Sequence, residues 1–213
     1  LPTLPHSTDQ EKIVRMATRE KGDVFGVVDD SGRFLGVIHM RDLIKVAQLE
    51  ATEDVFKFAG VSPEEEMLGT PGMAIRMRYK WLIINLVTAF LASRVVGLFE
   101  TTIAQLAVLA VYMPIVAGMG GNAGTQALAV TVRGLATGEV QTRQRVQLVL
   151  KELTAGLVNG CITGTIAAAF LFLLGEDPRL GLILAASMII NLIVAGVAGA
   201  LIPITLKAFK VDP

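Results

Sequence analysis

Pro114, Gly118, Gly120, Gly121, Asn122, Gly124, Thr125 and Gln126 fall inside one short stretch, MPIVAGMGGNAGTQ (113–126), flanked by the apolar runs TTIAQLAVLAVY and ALAVTV. Proline lacks an N–H, so Pro114 deprives the Ala110 carbonyl of its helical donor. The glycines allow the backbone to bend or to approach another chain closely. Asn122, Thr125 and Gln126 add neutral side-chain oxygens with no fixed charge beside them. A set of amide, hydroxyl and carbonyl oxygens suits a hard cation. Magnesium in particular prefers oxygen and gives up water reluctantly, so such a site would hold it through its hydration shell. The sequence predicts a helix broken in this stretch, because freed carbonyls at membrane depth must face a cavity or a polar partner. The same residues would equally serve a proline-kinked helix whose glycines pack against neighbours.

The elements around this stretch are apolar. Mean hydropathy is +0.60 over the 213 residues. Charge is unevenly placed: residues 1–80 hold 13 acids and 11 bases, whereas 81–213 hold 6 and 8. A polar front segment is thus joined to a membrane domain. Spans are predicted near 81–99, 102–132, 153–175 and 180–206, the last two free of Asp, Glu, Lys and Arg. Arg76, Arg78 and Lys80 precede the first span. Arg133, Arg143, Arg145 and Lys151 separate the second and third, and Lys207 and Lys210 follow the fourth. The positive-inside rule then places residues 1–80 and the C-terminus in the cytoplasm. Gly156, Gly160 and Gly164, and again Gly196 and Ala200, recur every fourth residue and predict close helix packing. Asn85, Asn159 and Asn191 are read as interhelical hydrogen-bonding groups.

In the front segment, Ile13, Val14, Met16 and Ala17 share one side of a helix. Two apolar strands flank an Asp-Asp-Ser-Gly turn at 29–32. A further helix follows, with Asp42 as its cap and Gly60 as its stop. The acidic stretch PEEEM, 63–67, is a weaker candidate for a cation-holding cluster, or simply a charged helix start. Zero net charge argues against a general nucleic-acid binder. A membrane metalloprotease would need a His-Glu-x-x-His site, and the two histidines, His6 and His39, both lie in the front segment, so an enzyme is not expected. The lone Cys161 supports neither a disulfide frame nor a cysteine metal site.

VFGVVDDSGRFLGVIHMRDL (24–43) resembles the C-terminal part of a cystathionine-β-synthase-type (CBS) domain. His39 stands where that family's nucleotide-binding stretch usually has Ser or Thr, which argues against nucleotide binding. PIVAGMGGNAGTQ, followed by RGLATGEV, closely resembles the signature of the MgtE magnesium transporters. KWLIINLVTAFLASRVVGLFE, KELTAGLVNG and LIPITLKAFKVDP extend the match. The resemblance implies a mostly α fold. A polytopic α-helical membrane domain (69–213) would follow a partial α/β CBS domain (1–45) and a connecting, plug-type helix (46–68). It implies a homodimeric Mg²⁺-selective channel in the inner membrane of a prokaryote, importing Mg²⁺ and gated by cytoplasmic Mg²⁺. A CBS-regulated transporter of another divalent cation such as Co²⁺ is the alternative. Pro114, Gly118, Gly121, Asn122, Thr125 and Gln126 would line the pore, and Glu50, Glu53 and Asp54 would hold the regulatory metal. The sequence opens mid-pattern without an initiator Met and reads as part of a longer chain. In the family a fifth helix with a pore aspartate follows the equivalent of Asp212-Pro213.

Overall fold

A computed structural model describes residues 2–8, 13, 14, 16, 17, 22–137 and 144–209, except the side chains of Glu50, Ala51, Asp54 and Phe58. The chain divides into two units, Leu1–Leu98 and Phe99–Pro213.

The first unit begins with a three-stranded sheet in the order β1 (Thr3–Pro5), β2 (Val24–Val28), β3 (Phe34–His39). β1 runs parallel to β2, and β2 is antiparallel to β3, pairing Val24 with His39 and Phe25 with Ile38. The β2–β3 turn is held by Asp29. Its Oδ1 accepts from the Ser31 hydroxyl at 2.6 Å, the Arg33 N–H at 2.8 Å and the Ser31 N–H at 3.0 Å. Those bonds, the Ser31 hydroxyl foremost, hold the Asp29 carboxyl below its usual range. Gly32 takes φ 79°, which a side chain would resist. Leu4, Ala17, Phe25 and Leu43 form the buried core, with Ile13, Met16, Ile38 and Met40 against it. Of the expected apolar side at 13–17, Ile13, Met16 and Ala17 meet this core.

Helix α1 is Met40–Phe58. Asp42 is not its cap: His39 occupies that position without a side-chain bond, and Asp42 sits in the first turn, where an acid favours the helix dipole. Gly60 closes the helix at φ 70°. Its N–H donates to Lys57 O and the Val61 N–H donates to Phe56 O, a Schellman pair. The PEEEM stretch starts no helix. Residues 61–70 are irregular, and Glu65 instead accepts from Nε, at 3.0 Å, and Nη2 of Arg78 in the next helix, the two donors of one guanidinium edge. Helix α2, Pro71–Gly97, starts on a Thr70 cap with Pro71 in the first turn, where a missing N–H costs nothing. Arg94 lies in its last turn, where a cation is favoured.

The second unit holds α3 (Glu100–Gln105), α4 (Val108–Ala136), α5 (Arg145–Leu173) and α6 (Pro178–Ala208). The turn into α6 uses Gly175 at φ 80° and an Asp177 cap that accepts from Arg179 N–H at 2.8 Å. α6 packs along both α4 and α5. Along α5 the contact is backbone to backbone. A Cβ on Gly156, Gly160 or Gly164 would lie 2.7 Å from Leu192 O, 2.6 Å from Ile189 Cα or 2.9 Å from Ala185 O. The every-fourth glycines thus serve the close packing expected of them. Arg143 of the expected cytoplasmic loop lies outside the described residues.

Among the described residues three helices are long and apolar enough to cross a membrane: α2, α5 and α6. The sequence predicts four spans. The remaining one, 102–132, is divided between α3 and α4, and α4 has 29 residues but is diluted by its glycines, Asn122, Thr125 and Gln126.

Candidate functional site

The 113–126 stretch is not a break. α4 runs unbroken from Val108 to Ala136 with Pro114 inside it. The interruption falls earlier, at Leu106, where the backbone leaves helical values (φ −126°, ψ 61°). Pro114 removes one hydrogen bond, a loss limited to the Ala110 carbonyl. Packing of α4 on α6 supports the rest of the helix, as tertiary contact commonly does for weak helix formers. A continuous helix also keeps its backbone carbonyls engaged. The oxygens free to face a ligand in this stretch are therefore chiefly those of the Asn122, Thr125 and Gln126 side chains.

Helical geometry sorts the stretch into two sides. Pro114, Gly118, Gly121, Asn122, Thr125 and Gln126 recur at steps of 4, 3, 1, 3 and 1. At about 100° per residue they share an arc of about 140°, and from first to last they run about 18 Å along the axis. All six are exposed. A Cβ on Gly118 or Gly121 would meet nothing within 4 Å. The opposite side carries the buried Gly120, Ala127, Thr131, Gly134 and Leu135. There the glycines do pack: a Cβ on Gly120 would overlap the Asn191 amide, and one on Gly124 would lie 3.5 Å from Ala195 O. Gly199 of α6 is equally tight, its Cβ position 2.5 Å from Gly124 O and 3.0 Å from Ala127 Cβ. Both readings of the glycines thus apply, on different faces of one helix.

Among the described residues three polar ties hold α4 in place. Near its start Tyr112 donates to Glu176 Oε1 at 3.2 Å, above an apolar cluster of Leu171, Leu180, Leu184 and Met188. In the middle Asn191 Nδ2 donates to Val116 O at 2.6 Å, an interhelical bond of the kind its isolated position suggested. At the end Lys207 Nζ donates to Leu135 O at 2.6 Å, satisfying a terminal carbonyl of α4. Sequence alone marks Lys207 only as a basic flank, and Tyr112 and Glu176 carry no local signal of their pairing across 64 residues.

Of the expected regulatory ligands, Glu53 lies on α1 with its carboxylate 2.7 Å from Lys57 Nζ, one turn on. The side chains of Glu50 and Asp54 lie outside the described residues. Among the described residues no three His, Cys, Asp or Glu side chains converge as a metal-binding group. The exposed α4 face carries the neutral side-chain oxygens of Asn122, Thr125 and Gln126.

α2, α5 and α6 have the length and composition of membrane spans, and within the second unit α4 and α5 pack closely on α6 through glycines. Residues 113–213 match the MgtE family, described as divalent cation transporters, which bears out the resemblance read in that stretch. Over 205 residues, 96% of the chain, it is 32% identical to the magnesium transporter MgtE of Bacillus subtilis. Over 208 residues it is 31% identical to the magnesium transporter MgtE of Thermus thermophilus, and over 205 residues 31% identical to that of Enterococcus faecalis. The chain spans just under half the length of these relatives, 45–46%.

Proposed function

We propose that this chain is the membrane-embedded part, with the preceding cytoplasmic segment, of a Mg²⁺ transport protein, and that the uncovered face of α4 lines the ion path. The observation that carries the reading is the separation of faces. Gly118, Gly121, Asn122 and Thr125 stand clear, while the opposite side is sealed on α6. A polar face on a helix in this setting needs water or a second polar surface beside it. A second copy of the chain, presenting the same face across a two-fold axis, would enclose such a path symmetrically. A homodimer in the inner membrane, with residues 1–80 and the C-terminus cytoplasmic, agrees with the basic flanks of the spans. Donors without charge would select a hydrated ion by geometry, and a helix of mostly small residues leaves room for the water shell.

Cytoplasmic gating is proposed for Glu50, Glu53 and Asp54, which fall three and four residues apart on α1 and so share one face. Bound Mg²⁺ would relieve repulsion among these carboxylates and favour one arrangement of the cytoplasmic segment; its loss would favour the other. Uptake into proteoliposomes containing the full-length protein tests the transport reading. Mg²⁺ entry that excess Co²⁺ reduces only weakly is expected. Co²⁺ entry with no competition from Mg²⁺ would replace this reading with the cobalt one.

A further inference from the structure

The α4–α6 contact is built mostly from groups without direction: Gly124 on Ala195, and Gly199 on Gly124 and Ala127. Small residues bring helices close but leave them free to rotate or slide. Midway along the pair, between the Tyr112–Glu176 tie near one end and the Lys207–Leu135 bond at the other, Asn191 supplies the directional contact. Its Nδ2 donates to Val116 O at 2.6 Å, and its amide lies flat on Gly120, with Oδ1 2.7 Å and Cγ 2.8 Å from where a Cβ would stand. Val116 and Gly120 are one helical turn apart. Both lie on the side of α4 turned away from Gly118, Gly121 and Asn122. A carbonyl has two lone pairs, so Val116 O can serve its helical donor and the amide together.

We infer that Asn191 is a positioning residue, which fixes the rotation of α4 about its axis and so aims the Gly118–Thr125 face. Gly120 is part of the same device, because only a residue without a side chain leaves the amide its place. A methyl there would meet the movable end of Asn191 rather than backbone, so the amide would swing aside and the bond to Val116 would be lost. This differs from Gly156, Gly160 and Gly164, whose neighbours are backbone atoms and cannot yield. The importance of this one bond for ion transfer rests on the α4 face being the path. Its importance for helix orientation does not.

The test uses the full-length protein in liposomes, with Cys161→Ser to remove the free thiol. Single cysteines are placed at Ala129, exposed on the open side, and at Ala123, half-buried on the other. A charged thiol reagent should label position 129 faster than 123. Asn191→Asp, which keeps the shape but removes the donor, should lower that ratio about threefold, as expected for losing one hydrogen bond within a membrane. Unfolding would be recognised by fast labelling at both positions. Gly120→Ala should lower the ratio by the same factor, and the double variant with Asn191→Ala should be no worse than Asn191→Ala alone, since both changes break one bond. An unchanged ratio in Asn191→Asp, or losses that add in the double variant, overturns the inference. A shifted ratio alongside normal Mg²⁺ uptake would keep the positioning role and refute the ion path. An unchanged ratio alongside uptake lost in Asn122→Ala would do the reverse.

Discussion

Gly160→Ala and Gly121→Ala make the same chemical change in two helices that both pack on α6, yet the structure gives them opposite signs. At Gly160 the new Cβ would lie 2.6 Å from Ile189 Cα and 3.3 Å from Ile189 O. Carbon atoms rest about 3.5–4.0 Å apart, so α5 and α6 must separate by about 1 Å, a gap that forfeits up to about half of each contact's dispersion energy. Overpacking of this kind costs about 1–3 kcal/mol. Alanine's better helix propensity returns about 1 kcal/mol. The net effect is destabilisation of up to about 2 kcal/mol. At Gly121 nothing lies within 4 Å, so only the propensity gain remains. Thermal unfolding of the purified full-length variants in one detergent should show Gly160→Ala melting below the parent and Gly121→Ala at or above it. Uptake should separate them again: Gly121→Ala stays folded but narrows the proposed path and conducts less. Equal destabilisation by both variants would refute the division of α4 into an open and a packed face, and a Gly160→Ala protein as stable as the parent would refute the close α5–α6 contact.

The remaining predictions concern the cytoplasmic segment. Glu65 is held below the usual glutamate range, chiefly by its hydrogen bonds from Arg78. A lowered folded value means that the clamp stabilises fully above the ordinary carboxyl pKa and is lost as pH falls through the lowered one. Trp81, the single tryptophan, lies beside Gly60 and reports on this region by its emission. Glu65→Gln should show at pH 7 the emission that the parent shows only in acid, and a parent-like spectrum would refute the clamp. Glu53→Ala combined with Asp54→Ala should leave Mg²⁺ flux less inhibited at high Mg²⁺; unchanged inhibition would remove these residues from the sensor.

Local chemistry explains what was legible in the sequence. The β2–β3 turn is set by one carboxylate and one glycine within four residues, Asp29 and Gly32. Gly60 stops α1 for the same local reason. The glycine ladder of α5 is legible because every-fourth spacing has one geometric meaning in a helix. The helix break was misplaced because proline and glycine carry strong local signals, whereas the actual interruption, at Leu106 and Ala107, is written in ordinary apolar residues. Pro114 costs one hydrogen bond, which packing against α6 outweighs. PEEEM looked like a helix start because acids favour one, but Glu65 is taken by an arginine 13 residues away. The six residues expected to line a pore fall together on one exposed side of α4. Its division from Gly120 and Gly124 follows only from knowing which side of α4 meets Asn191 and Ala195.

The most direct test of the account is Mg²⁺ uptake by full-length protein carrying Asn122→Ala, reconstituted in liposomes at matched protein content. Asn122 is exposed on the open side of α4. Its truncation removes no described packing contact, so the variant should fold and melt like the parent. The account predicts that uptake is abolished. Normal uptake through a folded Asn122→Ala protein would contradict it.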